Sequence, residues 1–316
     1  MKYLTILLHT KSVSYCYYSN QTDINEWIPI DILHKGILYA LKNNLNIQFV
    51  YPTIEIPKEY ISIINEVDSI RVFPSCFVSG KNQIIVFTDL SEFKDYPLNK
   101  GNFILHTSYQ QLPAVIREII AKEDAFNRLD LIIDDLETVT DTDLNIYSSE
   151  LEKLAIHIKK LYNNQISVQL NILTDRLFLQ NMNNCNAGVD HITLAPDGYF
   201  YICPAFYYKQ IKNENTNNFI GDIKNDIEIK NQQLYRLDHA PICRECDAYH
   251  CKRCVWLNQK LTLEVNTPSH EQCIVAHTER NASKRLLEDI NKTETLIDNT
   301  IENLDYIDPF DKFKKL

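Results

Sequence analysis

Clustered cysteines constrain this chain more than any other feature of its sequence. Of the nine cysteines, seven lie between positions 185 and 273. Four of them form two Cys-x2-Cys pairs, and only four residues separate one pair from the other. A gap of two residues lets both sulfurs turn onto one metal site. The segment is therefore predicted to bind metal through Cys185, Cys203, Cys243, Cys246, Cys251, Cys254 and Cys273.

These thiols are expected to be reduced. The first ten residues turn polar too soon for a secretory signal and predict a buried strand instead. No later apolar run approaches the ~18 residues that a membrane-spanning helix needs. We therefore expect a cytoplasmic protein with no membrane partner. An odd number of cysteines in that compartment favours metal ligation over disulfides.

Two kinds of metal site fit this spacing. Structural zinc takes four thiolates in a tetrahedron, which the two Cys-x2-Cys pairs can supply alone. Iron–sulfur clusters also take four thiolates each and commonly use scattered cysteines. An imidazole can replace a thiolate in some clusters. The histidines within or beside the cysteine segment are His191, His239, His250, His270 and His277.

Composition excludes one class of partner. Hydrophobic residues make up 45% of the 316 residues and charged residues 23%, the balance of a soluble globular protein. The net charge is -10, and no basic stripe is present. A polyanionic partner needs a basic surface, so nucleic-acid binding is not expected.

Up to about residue 175, short apolar runs alternate with longer amphipathic stretches. The runs predict strands at Tyr3–Leu8, Asn46–Tyr51, Ser69–Pro74, Gln83–Thr88, Asn102–His106, Leu129–Ile133 and Ile166–Ile172. The amphipathic stretches predict helices at Ile32–Lys42, Lys58–Val67, Leu112–Lys122 and Ser148–Tyr162. This alternation favours an α/β fold, as an open parallel sheet or a degenerate partial (β/α) barrel.

The character of the sequence changes after this region. His191–Leu194 and Tyr199–Ile202 flank an Ala-Pro-Asp-Gly turn and predict a β-hairpin. A last helix is predicted to begin near Thr267-Pro268, with Thr267 as N-cap, and to continue to Leu304. We therefore expect an α/β region over 1–175, a cysteine-rich domain over 176–280 and a helical tail over 281–316.

The order of the cysteines resembles that of the SPASM domain, the C-terminal extension of many peptide-modifying radical S-adenosylmethionine enzymes. Twelve residues separate Cys185 from Gly198, and four separate Gly198 from Cys203, as in that family. The third segment departs by one residue at each step, with x4 and x2 in place of x5 and x3. The resemblance implies one or two iron–sulfur clusters of the 4Fe–4S type. One would use Cys243, Cys246, Cys251 and Cys273, and the other Cys185, Cys203 and Cys254.

A second similarity, to the CXXX repeat peptide maturases, runs over most of the chain. The stretches that carry it are Tyr15-Cys-Tyr-Tyr, Ile47-Gln-Phe-Val-Tyr-Pro, Cys185-Asn-Ala-Gly-Val-Asp-His-Ile-Thr, Phe200-Tyr-Ile-Cys-Pro-Ala-Phe-Tyr-Tyr and Cys246-Asp-Ala-Tyr-His-Cys. It implies a maturase or maturase partner in the biosynthesis of a ribosomally made, post-translationally modified peptide. The implied partners are a CXXX-repeat precursor peptide and a radical S-adenosylmethionine maturase. The alternative is a non-catalytic protein that binds the precursor peptide or a partner, with a structural zinc site.

One motif of the radical S-adenosylmethionine enzymes is missing. Their active site needs Cys-x3-Cys-x2-Cys, which leaves one iron open for the cofactor. Upstream of residue 185 the chain has only Cys16 and Cys76. The N-terminal region is therefore expected to be degenerate and not to cleave S-adenosylmethionine by itself. The carboxylates of Asp134, Asp135 and Glu137 are expected in a solvated loop or helix cap rather than in a Mg²⁺ site.

Overall fold

The computed structural model of the protein describes residues 1–77, 80, 83–122, 125–212, 217–225 and 227–291. The strands are β1 (Tyr3–Leu7), β2 (Asn46–Val50), β3 (Ser69–Pro74), β4 (Gln83–Phe87), β5 (Gly101–Thr107), β6 (Phe126–Ile133), β7 (Gln169–Leu170), β8 (His191–Leu194), β9 (Tyr199–Tyr201) and β10 (Phe219–Asp222). The helices are α1 (Ile30–Lys42), α2 (Lys58–Asn65), α3 (Leu90–Asp95), α4 (Leu112–Ala121), α5 (Asp141–Asn163), α6 (Asp175–Phe178), α7 (Pro204–Lys212), α8 (Val255–Thr262) and α9 (His270–Asn291). The predicted α/β class, with strands that pair mainly in parallel, is confirmed.

The chain divides into two compact units. Unit 1 comprises Met1–Val86 and Asn186–Arg236, and unit 2 comprises Phe87–Cys185 and Leu237–Leu316. The expected regions 1–175, 176–280 and 281–316 follow changes in sequence character, and that division stays a prediction. Most of the last region lies outside the described residues.

In unit 1 the strand order is β10-β9-β8-β1-β2-β3-β4. Strand β1 pairs in parallel with both β2 and β8, and its Leu4 and Ile6 side chains are fully buried. The predicted hairpin is present, since β8 pairs antiparallel with β9. Gly198 closes its turn with a φ of 83°, a left-handed conformation that glycine adopts without strain. Cys203 therefore lies two residues after the end of the hairpin.

In unit 2, β5, β6 and β7 pair in parallel and helix α5 packs on α4 and α9. Helix α5 begins at Asp141, seven residues before the predicted Ser148, because Thr140 and Asp143 form a capping box at its start. Strand β7 is shorter than predicted. The chain turns after Leu170, whose N–H donates to the Thr174 hydroxyl at 2.7 Å.

The last helix also begins later than predicted. Helix α9 starts at His270, and the Ser269 hydroxyl, rather than Thr267, accepts a hydrogen bond from the Gln272 N–H at 3.2 Å. The expected continuation to Leu304 lies outside the described residues beyond position 291. Among the described residues, no helix combines the length and apolar character required to cross a bilayer.

Candidate metal centre

Four cysteine side chains of unit 2 line one cavity of about 290 Å³. Cys243, Cys246 and Cys251 come from the loop before α8, and Cys273 comes from the first turn of α9. These are the four cysteines that the SPASM resemblance assigns to one cluster. Cys254 is not among the residues that line the cavity; it is buried at the N-cap of α8.

Successive tight turns bring three of these sulfurs around the cavity. The Cys246 N–H donates to the Cys243 carbonyl at 3.1 Å, and the Cys251 N–H donates to the Ala248 carbonyl at 2.9 Å. The Ala248 N–H also points at the Cys246 sulfur at 3.4 Å. Backbone amides aimed at sulfur stabilise the thiolate that a metal ligand must become.

Helix α9 supplies the fourth sulfur and a nitrogen. Cys273 lies at the helix N-terminus, whose positive end favours an anionic group. One turn further, the His277 Nε2 lies 3.5 Å from the Cys246 Sγ, and the His277 ring also lines the cavity. The first two turns of α9 therefore contribute both a thiol and an imidazole to the wall of the same cavity.

Two charged residues line the cavity, Glu245, which is exposed, and Arg253, which is buried and which the sequence did not single out. The Arg253 side chain is 1% exposed, and its Nε donates to the Asn184 Oδ1 at 2.7 Å. The neighbouring Cys185 N–H donates to the Lys252 carbonyl at 2.6 Å. The segment that carries Cys185 therefore lies alongside the loop that carries Cys251 and Cys254.

The remaining cysteines have other surroundings. Cys203 belongs to unit 1, between β9 and α7. Burial raises the pKa of the nearby Tyr235, and the negative charge of the Cys203 thiolate raises it further. Cys16 is half-buried in the loop after β1, and Cys76 is exposed after β3. All nine cysteines lie within the described residues, and none forms a disulfide.

A buried carboxylate fixes the cysteine loop in unit 2. Asp247, 1% exposed, accepts from Arg176 at 3.2 Å and from Arg280 at 3.1 Å, and it also pairs with Lys284. Burial alone would raise the pKa of Asp247, but the Lys284 hydrogen bond and the charges of all three cations hold that pKa below its usual range. Because Asp247 follows Cys246 directly, these ion pairs hold the loop between Cys246 and Cys251 in place.

His250 takes part in a second buried contact. Its Nε2 lies 3.0 Å from the Glu279 Oε2, and Tyr147 donates to the other Glu279 oxygen. The other candidate histidines lie elsewhere. His191 belongs to unit 1, where burial lowers its pKa to about 4, whereas His239 and His270 each pair with the neighbouring acid.

The carboxylates after β6 all have protein partners. Asp134 lies 2.8 Å from the His106 Nδ1, and Asp135 accepts from the Tyr109 N–H at 3.0 Å. Glu137 pairs with Lys260 at 2.6 Å. These contacts agree with the expected structural role in the loop.

The four cysteines of the cavity can be compared with the ligands that zinc and a 4Fe–4S cluster each require. Zinc with four thiolates at about 2.3 Å holds its sulfurs within about 3.8 Å of one another. Within the described part of the chain, no three His, Cys, Asp or Glu side chains are close enough to hold a single ion. In a 4Fe–4S cluster each iron takes its own thiolate, so the sulfurs stand further apart. Four cysteines that line one cavity supply the number of thiolates that a 4Fe–4S cluster takes.

Burial affects the thiols before any metal binds. It raises the pKa of Cys243 to about 11 and the pKa of Cys251 to about 12. Both are therefore protonated at neutral pH in the metal-free chain. If these thiols bound a metal as thiolates, they would release their protons to solvent.

Comparisons with known proteins show the fold. No family model matches the sequence, and no curated protein matches it. Among solved structures, the chain is similar to anSMEcpe, an anaerobic sulfatase-maturating enzyme of the radical S-adenosylmethionine and SPASM class. The form with bound AdoMet has a TM-score of 0.58 and 13% identity, covering 92% of this chain and 96% of that one. The forms with Kp18Cys and Cp18Cys peptides have TM-scores of 0.59 and 0.57, with 12% and 14% identity, and each covers 92% of this chain and 99% of that one.

Proposed function

We propose that this chain is a peptide maturase or maturase partner that carries one or two 4Fe–4S clusters. The observation that carries the proposal is that four cysteines of one expected ligand set line the same cavity in unit 2. The fold it shares with a peptide-modifying maturase, solved with AdoMet and with peptides, supports the general role.

The ligands of the first cluster are Cys243, Cys246, Cys251 and Cys273. Cys243 is buried and the other three are partly buried, and Met182 also lines the cavity, so the access of water is limited. When bound there, the cluster supplies electron transfer or an anchor for substrate. The turns of the loop and the start of α9 hold the four sulfurs in position for it.

A second cluster would use Cys185, Cys203 and Cys254. Three cysteines leave one iron with an open position, which a histidine, water or the substrate must fill. Thiolate binds iron well, so a cysteine-bearing peptide is a natural ligand for that position. An open position for a thiolate supports a CXXX-repeat precursor peptide as the substrate. The missing Cys-x3-Cys-x2-Cys motif supports a separate radical S-adenosylmethionine maturase as the partner enzyme.

The identity of the metal is the first prediction. Anaerobically reconstituted protein is expected to be brown and to contain roughly four to eight iron atoms per chain, with an equal amount of acid-labile sulfide, as one or two 4Fe–4S clusters require. Iron and sulfide assays with the visible absorption spectrum check this result. One tightly bound zinc per chain, without sulfide or charge-transfer absorption, would support the structural zinc site instead.

The second prediction concerns S-adenosylmethionine. The reconstituted and reduced chain alone is expected to produce no 5′-deoxyadenosine, because Cys16 and Cys76 cannot supply three ligands for the cofactor-binding cluster. Chromatography of the reaction products measures this directly, with a radical S-adenosylmethionine enzyme as the positive control. Sustained production of 5′-deoxyadenosine by the purified chain would contradict a degenerate N-terminal region.

A further inference from the structure

We propose that Arg253 is a fixed counter-charge for the cluster held by Cys243, Cys246, Cys251 and Cys273, and that it raises the reduction potential of this cluster. The inference rests on the proposed function, since it requires that the cavity hold iron and sulfide. It assigns a role to a side chain that is not a ligand.

The position of Arg253 carries the inference. The residue stands between Cys251 and Cys254 in sequence, and its side chain lines the cavity while being 1% exposed. Cys243 and Cys251 line the same cavity, and Asn184, which accepts a hydrogen bond from Arg253, directly precedes Cys185. The Asn184 Oδ1, 2.7 Å from the Arg253 Nε, holds the side chain in place. A permanent cation is therefore buried among thiols.

The backbone of Arg253 gives a second observation. Its φ is 42°, in the left-handed region that residues other than glycine rarely occupy. Such a conformation persists only where surrounding contacts impose it, and it is often found at functional sites. Here the conformation accompanies a buried cation in the wall of the cavity.

The expected effect follows from charge. Each one-electron reduction of a 4Fe–4S cluster, from the 2+ to the 1+ core, adds one negative charge to the cavity. The electron comes from a chemical reductant in a titration, and no proton needs to move. A guanidinium remains protonated throughout, and its attraction for the added charge is strong because burial limits screening by solvent. Arg253 therefore favours the reduced form.

The test compares two substitutions with the same backbone strain. Arg253→Gln removes the charge, whereas Arg253→Lys keeps it. Both are reconstituted and assayed for iron and sulfide, then titrated with dithionite while electron paramagnetic resonance follows the signal that Cys273→Ser abolishes. For Arg253→Gln we expect the ratio of reduced to oxidised cluster at the wild-type midpoint to fall at least tenfold, about 59 mV for one electron. For Arg253→Lys we expect a change of less than about twofold.

A matched control is available in the same loop. Arg244 is adjacent to Cys243 but has a half-exposed side chain that pairs with Glu245. Solvent screens such a charge, so Arg244→Gln is expected to leave the midpoint unchanged. An equal shift in Arg244→Gln would overturn the assignment to Arg253.

Other outcomes separate the two proposals. If the wild-type chain takes up no iron and sulfide, the proposed function itself fails. If Arg253→Gln holds the cluster at the wild-type midpoint, Arg253 only supports the loop and the inference is wrong. If Arg253→Gln takes up no iron, the result for Arg253→Lys decides between the two roles. Normal iron content and a normal midpoint potential in Arg253→Lys support the role of the positive charge. Loss of iron in both variants overturns the inference.

Discussion

Replacing Cys273 with serine is expected to remove one cluster, or about four iron and four sulfide per chain, and to leave the other cluster in place. Cys273 lines the cavity with Cys243, Cys246 and Cys251, although more than 20 residues separate it from the other three in sequence. Helix α9 supplies Cys273 alone among the four, and a serine hydroxyl is a much weaker ligand for iron than a thiolate, so the cluster in this cavity is not expected to assemble stably. Iron and sulfide assays, with electron paramagnetic resonance of the reduced protein, measure the result.

The matched variant is Cys254→Ser. Cys254 is as close to Cys251 in sequence as Cys246 is to Cys243, yet it caps α8 and does not line the cavity. This variant is expected to keep the cluster that Cys273→Ser loses. Cys76→Ser, at an exposed position outside the segment, should retain all the iron. If Cys273→Ser retained its metal while Cys254→Ser lost it, the two Cys-x2-Cys pairs would form the site and our ligand set would be wrong.

The second large effect is expected at Asp247. Asp247→Asn leaves Arg176 and Arg280 buried without their carboxylate, and removing one partner of a buried ion pair typically costs about 3–5 kcal/mol. We expect the free energy of unfolding of the metal-free protein to fall by about that amount. Urea denaturation followed by circular dichroism measures the change. The same variant should incorporate less iron, because Asp247 orients the loop between Cys246 and Cys251.

Glu152→Gln is the control for this prediction. Glu152 pairs with Arg285 at 3.5 Å, and both side chains are more than half exposed. Exposed ion pairs contribute about 0–1 kcal/mol, so this substitution should leave the unfolding curve nearly unchanged. If the free energy of unfolding of Asp247→Asn fell by less than about 1 kcal/mol, the three cations would be stabilised by other groups. This result would contradict the role given to the Asp247 carboxylate.

Strands and helices whose apolar residues recur at regular spacing could be predicted from the sequence. Strand β3 has the predicted bounds, and the predicted helix at Ser148–Tyr162 lies within α5, which buries Leu151, Leu154, Ile158 and Leu161 at helical spacing. Helix α7 was not predicted, because Pro204 to Tyr208 are all buried and show no polar face. Helix starts depended on single capping side chains such as Ser269, which a pattern of apolar residues does not reveal.

In the candidate site too, one part could be predicted from the sequence and another could not. The SPASM resemblance implies the set Cys243, Cys246, Cys251 and Cys273, and these four side chains line one cavity. The buried charges around them were missed, since Asp247 and Arg176 are 71 residues apart and Arg253 and Asn184 are 69 apart. One signal was available: Arg253 is a cation placed between two cysteines of the motif.

Helix α9 joins the cavity to the rest of unit 2. Its first turn carries Cys273, and later turns carry Arg280, which binds Asp247, and Ser283, whose hydroxyl donates to the Leu173 carbonyl at 2.6 Å. Under the proposed ligand set, the cluster binds only when α9 is packed on unit 2 with Cys273 at the cavity. Binding of the cluster therefore stabilises this packing. The supply of iron and sulfide in the cell would then govern how much of this chain escapes proteolysis, as well as how much of it is active.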